Sequence, residues 1–129
     1  MYAGGPVLWL SRRQSVVALS TTKAEYVAAF DATREAAWLR QLYLDITGCN
    51  CTPITLYIDN TSAICIANNS ATTKRSKHMD VRYHYVREEV NSLHIKTVHC
   101  PTVEMIADVL TKPVPRPRND ELRSKLGVA

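Results

Sequence analysis

From Thr22 to Ile46 the chain follows a helical period, and Gly48 ends it. A helix of that length runs roughly 37 Å at the usual rise per residue, so the remaining elements must pack on it or beside it. Its apolar stripe, Ala28, Ala32, Ala36, Leu39, Tyr43 and Ile46, is expected to face the core, and one step further back it reaches Glu25. Pro53 then punctuates the chain, and Ile54 to Ile58 reads as a buried strand. That strand ends at Asp59-Asn60-Thr61-Ser62, where Ser or Thr is expected to cap a short helix through Ala67. A polar loop from Ser70 to Lys77 carries Lys74, Arg75 and Lys77. A helix is predicted from Asp80 to Ser92, with Val81, Tyr85, Glu88 and Ser92 along one side, and Ile95 to His99 alternates as a strand.

The two ends follow turn chemistry. Gly4-Gly5-Pro6 marks a turn, after which Val7 to Leu10 and Ser15 to Leu19 read as hairpin strands around Arg12-Arg13-Gln14. After Pro101, Thr102 is expected to cap a helix through Thr111. Pro113, Pro115 and Pro117 break the chain before a last helix, Asp120 to Leu126, stopped by Gly127. Hairpin strands followed by helix-linked strands make the fold class α/β. With 129 residues and no internal repeat, a single domain over 1–129 is expected, 113–129 forming a Pro-rich extension with a short helix.

Composition narrows the function classes. Apolar residues make up 46% of the chain, which excludes disorder as the default. No apolar run approaches about 18 residues, and no basic segment with an apolar stretch follows Met1, which argues against a membrane span and a secretory signal. Cys49, Cys51, Cys65 and Cys100 fit no standard zinc spacing and read as free thiols in a reducing compartment. A net charge of +4 permits a polyanionic partner without establishing one.

Three acids stand where chemistry would want them. Glu25 opens a helix on its apolar stripe, Asp59 closes a strand, and Asp108 lies within the largely apolar stretch from Val103 to Leu110. Clustered carboxylates with an open side hold Mg²⁺, and two such ions activate a water and stabilise the leaving oxygen in phosphodiester cleavage. Each acid also has a plainer explanation. Thr22-Lys23-Ala24-Glu25 fits a capping box, Asp59 suits a turn or cap, and Asp108 suits a solvated helix surface. Spacing alone does not choose.

Five blocks of sequence do. Gly4-Gly5-Pro6 with Trp9-Leu10-Ser11-Arg12-Arg13-Gln14-Ser15 resembles the GGPI-W-S-K-KQS opening of RNase H domains in copia-type LTR retrotransposons. Ala18-Leu19-Ser20-Thr21-Thr22-Lys23-Ala24-Glu25-Tyr26 is similar to their ALSTTEAEY segment, with Lys23 where many members carry Glu. Tyr57-Ile58-Asp59-Asn60-Thr61-Ser62-Ala63-Ile64 resembles YCDNQSAI. Lys77-His78-Met79-Asp80-Val81-Arg82-Tyr83-His84 resembles KHIDIRYH, and Ala107-Asp108-Val109-Leu110-Thr111-Lys112-Pro113 resembles ADILTKP. The blocks run in the family's order and span the chain.

The resemblance implies an RNase H-like fold, a mixed five-stranded sheet flanked by helices. It implies hydrolysis of the RNA strand of RNA–DNA hybrids with Mg²⁺ or Mn²⁺, leaving a 3′-hydroxyl and a 5′-phosphate. It makes Glu25, Asp59 and Asp108 the catalytic and metal-binding carboxylates, expected to converge within about 4–7 Å at one end of the sheet. Lys74, Arg75, Lys77 and Arg82 would hold the DNA strand's phosphates, with a solvated loop as the plainer reading, and recognition would rest on shape and 2′-hydroxyls. His78 and His84 fall in a matching block without a role. The implied partners are the hybrid and the reverse transcriptase part of the same polyprotein, in a cytoplasmic particle, with no membrane and no small-molecule cofactor. The family's first carboxylate lies on a strand upstream of the GGP block, and no residue from Met1 onward takes its place. Cleavage by these 129 residues alone is therefore expected to be slow, with a nucleic-acid-binding remnant as the alternative function.

Overall fold

At Ser20 the backbone is extended, and its hydroxyl oxygen accepts a hydrogen bond from the Lys23 N–H at 3.2 Å. This cap starts α1, Thr21–Thr47, the longest element in the computed structural model of the chain, which describes residues 4–14, 20–50, 53–68 and 80–128. Gly48 ends it as read from the sequence, adopting φ 69° and donating its N–H to the Leu44 carbonyl at 2.8 Å. The chain divides into two compact units, Met1–Ser15 with Pro101–Ala129, and Val16–Cys100.

In the larger unit, β1 (Ile54–Ile58) and β2 (Ile95–His99) pair in parallel, with Ile54 opposite Ile95 and Ile58 opposite His99. The ladder continues past both ends, through Ile54 N–H to the His94 carbonyl and Cys100 N–H to the Ile58 carbonyl, each at 2.9 Å. Parallel neighbours need a long crossover. Here it contains α2 (Thr61–Asn68) and α3 (Asp80–Asn91). Among the described residues the sheet is this parallel pair, so the architecture is α/β, and the mixed five-stranded sheet is not represented beyond it. The turn from α3 into β2 carries Leu93 at φ 57°, a left-handed conformation unusual for a branched side chain.

The core of this unit joins Tyr26 and Ala29 of α1, Ile58 of β1, Ala63 and Ala67 of α2, and Val86 of α3, with Phe30, Leu56, Tyr83 and Val90 packed against them. This corrects the face expected for α1. The buried residues of α1 are Tyr26, Val27, Ala29, Thr33 and Ala36, of which only Ala36 belongs to the expected stripe, whereas Ala28 is exposed and Ile46 is 74% exposed. The expected stripe is rotated by about one residue, or about 100°, because its alanines bury little area compared with Tyr26 and Phe30. On α3 the side that carries Val81 and Ser92 is the outer one. Val81 is 78% exposed, while Val86 is fully buried.

The smaller unit differs more from expectation. Residues 7–10 form no strand, and Val7, Leu8, Trp9 and Leu10 are all exposed. A strand needs a ladder partner as well as β-forming residues; the expected partner, residues 15–19, lies outside the described residues. The single helix expected from Thr102 to Thr111 is instead a 3₁₀ turn, Thr102–Glu104, an extended Met105, and one α turn, α4, Asp108–Thr111. The last helix, α5, spans Arg116–Lys125 and begins earlier than expected. Pro117 sits in its first turn, where the missing N–H costs nothing. Leu122 of α5 is fully buried. Gly127 has φ 71°, and a Cβ there would collide with the Gly4 carbonyl oxygen.

Candidate functional site

Ile58, the last residue of β1, is buried, so the chain leaves the carboxyl end of a parallel strand at Asp59, which is half-buried. Open α/β sheets hold ligands at that end. The next residue turns the chain into α2. Asn60 accepts a hydrogen bond from the Ala63 N–H on its side-chain oxygen at 3.1 Å, and from the Ile64 N–H on its carbonyl at 3.2 Å. Asn60 is therefore the cap of α2, in place of the Ser or Thr expected and in place of Asp59. A cap role does not account for the Asp59 carboxylate at the strand end.

Glu25 is likewise not the capping-box residue expected. With Ser20 as the cap of α1, the reciprocal capping-box position is Lys23, and Glu25 stands deeper in the helix, half-buried. Its neighbour Tyr26 anchors this turn. The Tyr26 ring stacks on Tyr83 of α3 with centroids 4.1 Å apart, and its hydroxyl donates to the Tyr83 carbonyl at 3.3 Å. Burial pushes the Tyr26 phenol up to about 12, although the positive charge of Arg87 pulls the other way. Burial raises Tyr83 as well. Arg87 donates through Nε to the Ile66 carbonyl at 3.1 Å, tying α3 to α2. Glu25 thus sits on a turn that is fixed from one side by aromatic packing.

Asp108 belongs to the smaller unit, in the first turn of α4 and not within a longer helix. Its side chain is 14% exposed and its Oδ1 takes the Lys112 ammonium at 2.8 Å. The carboxylate already holds one cation. Of the four expected phosphate-binding cations, Lys74, Arg75 and Lys77 lie outside the described residues, as does His78. Arg82 is half-buried on α3 with its guanidinium carbon 5.6 Å from the Phe30 ring centroid, and His84 is exposed on the same helix.

The larger unit thus holds Glu25 and Asp59, and the smaller holds Asp108. Within neither unit do three or more described His, Cys, Asp or Glu side chains gather as ready metal ligands. The donors are nevertheless of the right kind. Mg²⁺ and Mn²⁺ favour oxygen, and Mg²⁺ is commonly held by one or two carboxylates, waters and substrate phosphate, so two acids in one unit suit it. Sequence reasoning missed Lys112, although its position four residues after Asp108 is the spacing of a helical ion pair. It also missed the Tyr26–Tyr83 stack, whose members lie in two separate matching blocks.

No protein-family model and no solved structure matches the chain. Curated proteins do. The chain is 40% identical over 127 residues to the retrovirus-related Pol polyprotein from transposon TNT 1-94 of Nicotiana tabacum, covering 98% of this chain and 10% of that protein. It is 33% and 32% identical over 123 residues to the retrovirus-related Pol polyproteins from transposons RE1 and RE2 of Arabidopsis thaliana, covering 95% of this chain and 8% of each. The chain therefore spans about a tenth or less of the length of these relatives, and the segments it matches in them belong to plant transposon Pol polyproteins.

Proposed function

We propose that this segment of a transposon Pol polyprotein is its RNase H part, hydrolysing the RNA strand of RNA–DNA hybrids with Glu25, Asp59 and Asp108 as the metal-binding carboxylates. The observation that carries the reading is Asp59: a half-buried acid at the carboxyl end of a parallel strand, beside a helix whose cap is another residue. Glu25 supports it as a half-buried acid beside Tyr26, on a turn of α1 that the Tyr26–Tyr83 stack anchors. The homology to Pol polyproteins supplies the biological setting, in which such an activity would follow reverse transcription.

Mg²⁺ or Mn²⁺, when bound, supplies Lewis acidity that lowers the pKa of water and offsets charge on the phosphodiester. The chain's own residues do the rest. Asp59 presents its carboxylate from a junction fixed by the β1–β2 ladder and the Asn60 cap, so little reorganisation precedes the reaction. Tyr26 holds the turn that carries Glu25, and Lys112 keeps the Asp108 carboxylate oriented. Lys74, Arg75, Lys77 and Arg82 take the DNA strand's phosphates, and the hybrid is recognised by shape and 2′-hydroxyls. The reverse transcriptase part of the polyprotein delivers the hybrid.

The test is cleavage of a labelled RNA–DNA hybrid in Mg²⁺ by the segment joined to its reverse transcriptase part, wild type against Asp59→Asn. A loss of about 10²–10³-fold is expected, the scale of removing one electrostatic contributor to a transition state. Equal cleavage by both proteins overturns the assignment. Hybrid binding without any cleavage also overturns it and leaves the binding remnant.

A further inference from the structure

Away from the carboxylates, α1 and α3 form an open groove of about 370 Å³ lined by Phe30, Arg34, Ala37, Trp38, Val81 and Tyr85. Trp38 is 56% exposed in a folded chain. Phe30 is the hub of the floor. The Arg34 and Arg82 guanidinium carbons lie 5.9 and 5.6 Å from its ring centroid, and Tyr85 meets it edge-on at 5.7 Å and 76°. Among the described residues neither guanidinium is engaged in an ion pair, and no carboxylate lines the groove.

These features select the kind of partner. A guanidinium resting on a ring keeps its N–H edge for a planar or phosphate acceptor. A purely apolar partner would bury two unpaired charges, which is strongly unfavourable. An anionic partner pairs them. The exposed indole and the Tyr85 ring ask at the same time for flat apolar rings. Alternating phosphates and bases meet both demands, and arginines interleaved with aromatics are how proteins hold single strands.

We propose that the α1–α3 groove is a stacking platform for single-stranded nucleic acid, with bases on Trp38 and beside Tyr85 and phosphates on Arg34 and Arg82, which Phe30 supports from below. The platform shares Arg82 with the hybrid reading above but needs neither metal nor hydrolysis. Trp38 lies about 20 Å along the α1 axis from Glu25 at the standard helical rise.

The chain contains two tryptophans, Trp9 and Trp38, so Trp9→Phe leaves Trp38 as the sole indole reporter. That protein is titrated with a fifteen-nucleotide oligothymidylate in EDTA, following both indole emission and oligonucleotide anisotropy. Binding is expected to quench Trp38 and to weaken with salt. Adding Trp38→Ala to the Trp9→Phe background, read by anisotropy, is expected to lose about tenfold or more in affinity, the scale of one base–aromatic stack, and Trp38→Phe in the same background to stay within a few-fold. Arg34→Gln with Arg82→Gln is expected to flatten the log–log salt slope by about 1.4, at about 0.7 per phosphate contact. Bound oligonucleotide with unchanged Trp38 emission overturns the proposal. So does self-association without oligonucleotide that Trp38→Ala abolishes, which would make the groove a contact between copies. A protein that stacks oligothymidylate and cleaves nothing still supports the groove, and one that cleaves hybrid while Trp38 stays silent refutes the groove alone.

Discussion

Replacing Tyr26 by phenylalanine is expected to destabilise the chain at neutral pH and to stabilise it relative to the parent above about pH 11. The substitution keeps the ring, its stack on Tyr83 and its place in the core, and removes only the hydroxyl and its bond to the Tyr83 carbonyl. At 3.3 Å that bond is long, so the cost at pH 7 is at the lower end of the range for a net hydrogen bond, about 0.5–1 kcal/mol. The alkaline arm has the opposite sign. Burial raises the Tyr26 phenol from 10.0 to about 12. The folded state therefore holds the proton more tightly than the unfolded chain. The stability this represents is complete below pH 10 and is lost as pH rises towards 12. Two units correspond to about 2.7 kcal/mol, and because the hydroxyl is only partly buried, a loss of about 1–3 kcal/mol is expected. The Tyr26→Phe protein has no phenol proton to lose at this position. Urea denaturation followed by far-UV circular dichroism at pH 8 and near pH 12 measures the two differences. The other tyrosines and the lysines titrate in both proteins and largely cancel between them. A difference in stability that keeps its sign and size at both pH values would refute the account of Tyr26 as a buried, proton-retaining anchor.

Val86 is fully buried where α3 meets the core, so Val86→Ala should cost about 2–3 kcal/mol from lost burial and the cavity left behind, read as a lower urea midpoint at unchanged slope. Leu93 is 73% exposed at φ 57°, so Leu93→Gly should raise stability by about 0.5–1 kcal/mol, the relief of the left-handed conformation exceeding the entropy glycine adds to the unfolded chain. An unchanged or lower melting temperature would count against strain at that turn.

Much of the order of elements is legible from local signals. The ends of α1, the positions of β1 and β2, and the extent of α3 agree with the sequence reading to within a residue, since helical period, strand length and Gly or Pro punctuation act over a few neighbours. Caps are harder to read. Ser20 and Thr22, and Asn60, Thr61 and Ser62, are all competent, and the choice between neighbours depends on where the preceding strand or loop delivers the chain. The helix expected across Thr102 to Thr111 does not form, because a short apolar run has no preference strong enough to hold one helix through Met105. The acids at positions 25, 59 and 108 are visible as residues, but the sequence leaves open whether the first two are caps. The observed caps at Ser20 and Asn60 remove that ambiguity.

By itself, then, the sequence determines the helices and the two strands of the larger unit, which carboxylates the chain owns, and which polyproteins it aligns with. Tertiary structure alone decides which face of α1 turns inward, burying Thr33 and Tyr26 while leaving Trp38 and Ile46 out. It alone brings Arg82 of α3 to the Phe30 ring of α1. The reason is physical. Periodicity is set by bonds between near neighbours, whereas the face a helix buries is set by which surfaces the rest of the chain brings to it, and alanine-rich stripes offer too little area to decide in advance.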